Sequence, residues 1–184
     1  STIASTKFSN QYRANKYAIQ ALLADIYLWN EDYDKSIATC DAIINSGQFS
    51  LVDNTNWFSL YYPGNAPGES IFEAQFDDRL QGQENYMNIN ANVELANYDF
   101  DSQSDIRYCK GKGPGWKYTG KDETGSSSRQ RRSGEYSANY IFYRYADILC
   151  IKAECLAQKE NFTDANALLS QVAERAGTII TPAY

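Results

Sequence analysis

The chain has 184 residues, 17 Lys and Arg against 23 Asp and Glu for a net charge of -6, and no histidine. The missing histidine excludes a Ser-His-Asp or Cys-His nucleophilic site, a His-ligated zinc, a haem on a proximal His and a histidine general base. The acidic balance argues against a nucleic-acid partner, whose phosphates need a surplus of Lys and Arg. The length is enough for one ordinary domain with a real core, and 15 Tyr, 8 Phe and 3 Trp suit partly wet binding surfaces as well as interiors.

The N-terminal Ser1-Thr2-Ile3-Ala4-Ser5 lacks both a basic and an apolar region, so no signal peptide is expected within this sequence, which reads as a mature form or an internal piece. No run approaches the ~18 apolar residues that a membrane span needs. A helix is predicted over residues 11–29, where Tyr12, Ala18, Ile19, Ala21, Leu22, Leu23, Ile26, Tyr27 and Leu28 recur at three- and four-residue spacing without Gly or Pro. Asn30-Glu31-Asp32 interrupts it. A second helix is predicted from Tyr33 to Asn45 with Ile37, Cys40, Ile43 and Ile44 inward, and Gly47 closes it.

The pattern recurs 129 residues later. A helix is predicted from Tyr140 to Gln158, then the break Lys159-Glu160-Asn161, then a helix from Phe162 to Ala176 with Ala165, Leu168, Leu169 and Val172 inward, and Gly177. Ala24 aligns with Ala153, Tyr33 with Phe162, Cys40 with Leu169 and Ile43 with Val172; Ser36 stands opposite Ala165. A small residue, a short turn, an aromatic and an apolar helix make up a tetratricopeptide-type pair, whose small residues let two helices approach closely.

The four cysteines, at 40, 109, 150 and 155, have no metal-like spacing. Cys150 and Cys155 lie about 140° apart around one helix and should not bridge. Cys40, Cys150 and Cys155 are expected as small core residues, and Cys109 lies in a loop.

The expected organisation is a helical unit at 11–47, a loop-rich insert at 48–138 and a second helical unit at 139–177. Within the insert, Ser70 to Phe76 alternates, with Ile71, Glu73 and Gln75 on one face and Phe72, Ala74 and Phe76 on the other, which predicts a short strand. Gly- and Pro-rich turns, the Asn-rich run 85–97 and Gly111 to Trp116 surround it. An insert this long inside a compact chain usually carries function.

Several pieces resemble, in order, the SusD/RagB-like family of Bacteroidetes surface nutrient-binding lipoproteins. They are Arg13 to Leu28, Ile43 to Leu51, Glu69 to Phe76, Ser104-Asp105-Ile106-Arg107, Trp116-Lys117-Tyr118, Tyr143 to Leu149 with Ala153-Glu154, and Glu174-Arg175-Ala176-Gly177. The resemblance covers nearly all of the chain, as a middle portion of a longer protein. It implies a mainly α fold, an α-α superhelix of tetratricopeptide-type pairs with a loop-rich insert and a short β element. It further implies a non-catalytic surface lipoprotein of the outer membrane, anchored by lipid outside this chain. Such a protein captures oligosaccharide, or peptide, for a SusC-like TonB-dependent transporter, with no cofactor and no metal.

The candidate ligand contacts follow the strand. They are Asp77, Arg79, Gln83, Asn85, Tyr86, Asn88 and Asn90, with Trp116 as an aromatic platform beside Tyr118. Aromatic faces cover the C–H face of a pyranose ring, and amides and charges pair with its hydroxyls. Each has a plainer reading: asparagine is common in turns whatever the function, and a single Trp often fills a satellite core. Trp57, Phe58, Tyr61 and Tyr62 lean to core packing, and Trp29 and Tyr33 at the repeat turn read as structural. Asp77 with Asp78 admits a glycosidase pair, solvated carboxylates or a Ca²⁺ site with backbone oxygens, Asp105 with Arg107 reads as an ion pair, and Arg129 to Arg132 as a solvated loop or a protein-interface contact. The competing functions are a helical-repeat adaptor for protein segments and a carbohydrate-active hydrolase.

Overall fold

The structure is a computed structural model, and it describes residues 13–61, 68–76 and 138–179. Four helices form two pairs: α1 (Lys16–Trp29) with α2 (Tyr33–Ile44), and α3 (Tyr145–Gln158) with α4 (Phe162–Ala176). They stack in chain order, α1 on α2, α2 on α3 and α3 on α4.

The two pairs match in detail. Helices α1 and α3 are each 14 residues long, and both inter-helix turns pass through a glutamate at positive φ, Glu31 at 60° and Glu160 at 61°. Ala24 and Ala153 are fully buried at the crossings, where a larger side chain would separate the helices. Ser36, in the place that Ala165 fills in the second pair, is also fully buried, and its hydroxyl donates to the Ala24 carbonyl at 2.8 Å. A buried hydroxyl is tolerated there because it has that partner.

Helix ends follow local chemistry. The Asn15 side chain accepts from the amides of Tyr17 and Ala18, so α1 begins at Lys16, five residues later than the start at residue 11 that apolar periodicity predicts. Asn161 caps α4 through the Asp164 amide. Gly47 and Gly177 sit at positive φ just past α2 and α4, as their positions in the sequence predict.

The helix expected over Tyr140–Gln158 is corrected at its start: residues Tyr140–Arg144 are a strand, β2, and the helix begins only at Tyr145. The run Tyr140-Ile141-Phe142-Tyr143 is aromatic and β-branched, which suits a pleated surface. It pairs antiparallel with β1 (Ser70–Ala74), with register irregularities on either side of Phe72. The Asp147 carboxylate accepts the Arg144 amide at 3.0 Å and so starts the helix at the strand's end.

The main core lies where the helices meet the ribbon: Ala21, Ala24, Cys40, Ile43, Ile71 and Ile148 cluster there. A second cluster holds Trp57, Phe58, Leu60, Tyr61 and Ala138, built on a 3-10 helix over Asn54–Leu60. Trp57, Phe58 and Tyr61 are thus core residues, as expected. Two other expectations are corrected. Cys150 is exposed, since it points away from the α2 contact, whereas Cys40 and Cys155 are fully buried. Trp29 is 82% exposed and belongs to no core cluster among the described residues.

Candidate functional site

The segment that carries the candidate contacts is rooted on the β1–β2 ribbon, leaving it after Phe76 and returning at Ala138. Asp77, Arg79, Gln83, Asn85, Tyr86, Asn88, Asn90 and Trp116 all lie outside the described residues, as do Asp78, Tyr118, Asp105, Arg107, Cys109 and Arg129 to Arg132. What the structure does define is the base that holds their two ends.

The two faces of the ribbon differ. On the outer face Phe72 stacks on Phe142 with ring centroids 5.1 Å apart, and Tyr140 meets the Phe142 edge. Phe142 is 49% exposed, so this aromatic ladder is partly open to water. On the inner face, the alternation that buries Ile71 also buries Glu73, and Glu69 precedes them; both glutamates are essentially inaccessible.

Glu69 is held by two cations. Its Oε2 accepts from Arg175 Nη1 at 2.6 Å and from the Val52 amide at 2.8 Å, and its Oε1 accepts from Arg144 Nη1 at 3.3 Å. Its carbonyl accepts the first amide of α3, Tyr145, at 2.8 Å. One carboxylate therefore joins the loop after α2, the start of β1, the β2–α3 junction and the end of α4. Burial alone would make Arg144 easier to deprotonate, but the neighbouring Tyr61, Asp147 and Glu69 outweigh it and raise its pKa. A buried charge is stable only when so paired and hydrogen-bonded.

Glu73 is held without any cation among the described residues. Ser70 Oγ donates to Oε2 at 2.7 Å, Asn139 Nδ2 donates to Oε1 at 3.1 Å, and Gln75 Nε2 also donates to Oε1. Asn139, fully buried, accepts the Phe76 amide on its Oδ1 at 3.3 Å and donates its own amide to the Tyr61 carbonyl at 2.7 Å.

A separate recess of about 450 Å³ opens at the first repeat turn, between Asp25, Trp29, Glu31, Tyr33, Asp147 and Glu154. Asp25 is engaged by the Tyr143 hydroxyl at 2.7 Å; burial first, and this hydrogen bond second, push the Tyr143 hydroxyl up to about 12. Burial, with Glu31 next in weight, raises the Tyr33 hydroxyl as well. Among the described residues, no Lys or Arg lines this recess. Among the described residues there is no group of three or more His, Cys, Asp or Glu suited to a metal ion, and no helix long and apolar enough to cross a membrane.

Sequence reasoning passed over Glu69, Glu73, Asn139, Arg144 and Arg175. Glu73 had a signal, because it alternates in phase with Ile71. Glu69, Arg144 and Arg175 each lie in one of the family-like pieces, far apart in the chain, and only the fold brings them together.

The sequence profile of the SusD family matches residues 57–180. No curated protein matches the sequence. Among solved structures, a SusD superfamily protein from Bacteroides fragilis superposes with a TM-score of 0.67 at 17% identity, covering 96% of this chain and 47% of its own. A SusD-like carbohydrate-binding protein from Bacteroides vulgatus gives 0.66 at 15% identity, covering 98% of this chain and 41% of its own. A laminarin-binding SusD-like protein gives 0.62 at 18% identity, with 94% and 50% covered. The likeness at such identities is one of fold, and this chain spans half or less of the length of each of these structures.

Proposed function

The chain belongs to the SusD family, and from that premise we propose that it forms part of a non-catalytic capture protein for oligosaccharide. In this reading the whole protein sits on the outer face of the outer membrane, anchored by lipid outside these residues, and passes its ligand to a SusC-like TonB-dependent transporter. Asp77, Arg79, Gln83, Asn85, Tyr86, Asn88 and Asn90 contact hydroxyls, and Trp116 covers a ring face. The observation that carries the reading is the family match itself, because 57–180 spans the whole run of candidate contacts. Two neighbours described as binding laminarin and carbohydrate support a glycan over other ligands.

The test is calorimetric titration of a panel that includes laminarin oligosaccharides and peptides. Saturable glycan binding is expected, weakened at least about fivefold by Trp116→Ala or Tyr86→Ala, the equivalent of roughly 1 kcal/mol of aromatic contact. Binding of peptides alone would favour the peptide-taking or adaptor reading, which the exposed apolar residues of α1 also suit.

A further inference from the structure

We propose that Glu73 and Asn139 are positioning residues that clamp the two roots of the ligand-facing insert together. The inference rests on the reading above that residues between 77 and 137 contact the glycan.

The geometry carries it. The chain leaves the ribbon through Gln75 and Phe76 and returns through Ala138 and Asn139, and Glu73's hydrogen bonds among the described residues serve that junction or its strand. Asn139 Nδ2 ties the returning chain to Glu73, while Asn139 Oδ1 takes the amide of Phe76 on the departing chain. Gln75, also on the departing chain, donates to the same Glu73 oxygen as Asn139. The Asn139 amide, donating to the Tyr61 carbonyl, fixes the pair to the 3-10 helix and its aromatic core.

A carboxylate at 2% exposure whose donors among the described residues are all neutral is costly to bury. An apolar residue would serve β1 packing better, since Ile71 on the same face does so. What the carboxylate adds is two acceptor oxygens able to gather three donors from three points of the chain. Past the irregular register at Phe72, only the Glu73–Ile141 and Ala74–Tyr140 pairs hold this two-stranded ribbon at the insert's end, which leaves it little rigidity of its own. The clamp supplies it, and the spacing of the insert's ends depends on it.

Hydrogen exchange followed by mass spectrometry on the whole chain tests the clamp without any ligand. Glu73→Ala is expected to accelerate exchange in peptides covering 72–76 and 138–142 by roughly tenfold or more, with α2 nearly unchanged. Glu73→Gln is expected to restore most of the protection, because its amide oxygen can keep the Asn139 and Gln75 donors while its NH2 donates to the Ser70 hydroxyl. Uniform acceleration through all helices, or none at the roots, would overturn the proposal. Should Glu73→Ala fail to fold, Asn139→Ala removes the cross-link alone and must loosen the same two peptides.

Titration of laminarin oligosaccharides on the same proteins separates the two ideas. No binding by the native chain would defeat the functional reading and leave the clamp to be judged on exchange. Binding that survives unchanged in Glu73→Ala despite loosened roots would overturn the positioning role.

Discussion

At one end of the helix stack, α4 turns Thr163, Asp164, Ala167, Gln171 and Glu174 to the exposed side; at the other, α1 turns out Ile19, Leu22, Leu23, Ile26 and Trp29. The internal repeat makes the contrast quantitative. Ile19 corresponds to Ile148 and Ile26 to Cys155; the α1 residues are 53% and 42% exposed, and their α3 counterparts are fully buried. Ile148, with Ile151 beside it, packs in the core cluster that holds Cys40 and Ile43 of α2. The outward face of α1 is therefore the same face on which α3 receives α2, and among the described residues nothing packs on it. A terminal repeat in a stack needs a polar outer face. Helix α4 has one beyond its first residue, Phe162, which is 53% exposed, whereas α1 is apolar on two sides, the pattern of a helix covered from both.

The ends also differ in how they are tied to the ribbon. At the α4 end, Arg175 reaches the fully buried Glu69; at the α1 end, the tie is the hydrogen bond from Tyr143 to Asp25. Glu69→Ala should have the largest effect, because it leaves Arg144 and Arg175 without their shared anion: about 3–5 kcal/mol lost in urea unfolding. A loss under about 1 kcal/mol would mean that the α4 end does not depend on the ion pairs.

The matched pair Ile148→Ala and Ile19→Ala comes next. The first should cost about 2–5 kcal/mol and the second within about 0.5 kcal/mol, read from denaturant midpoints of the whole chain. Equal costs would show that the α1 face is as buried in solution as its counterpart, and would remove the contrast.

Tyr143→Phe should have the smallest effect, about 0.5–1.5 kcal/mol at neutral pH from one hydrogen bond. It also carries a pH signature. The native state holds the Tyr143 proton up to about 12, against 10.0 unperturbed, so its contribution is whole below pH 10 and fades as pH rises toward 12. Cys40, which burial pushes up to about 12 from 9.0, adds a slope of the same sign beginning near pH 9. In Tyr143→Phe the stability decline between pH 10 and 12 should be shallower than in the native chain. An unchanged slope would show that Asp25 and Tyr143 are not coupled in solution.

Periodicity made the helices legible, and the 129-residue offset made the pairing legible, down to Tyr33 and Phe162 opening the second helix of each pair. It did not reveal which side of α1 faces inward, because Ala18, Ala21 and Ala24 mark the packed face by being small, and the larger residues on the opposite face dominate an apolar count. The strand Tyr140–Arg144 was hidden for a related reason: it runs directly into α3, and its apolar residues continue the helical pattern. The buried base of the insert was legible only in part. Glu73 shares the phase of Ile71, but its partner Asn139 lies across the whole insert, and no local pattern connects them. The same holds for Glu69 with Arg175, whose pairing depends on four elements arriving together.

Glycan capture is tested most directly by mixing the protein with a panel of oligosaccharides, laminarin fragments among them, and measuring both retention and chain length of the sugar afterwards. Saturable retention of at least one glycan, recovered at its original length, is the predicted result. Shortened products made by the native protein, or no retention of any glycan while peptides are held, would contradict it.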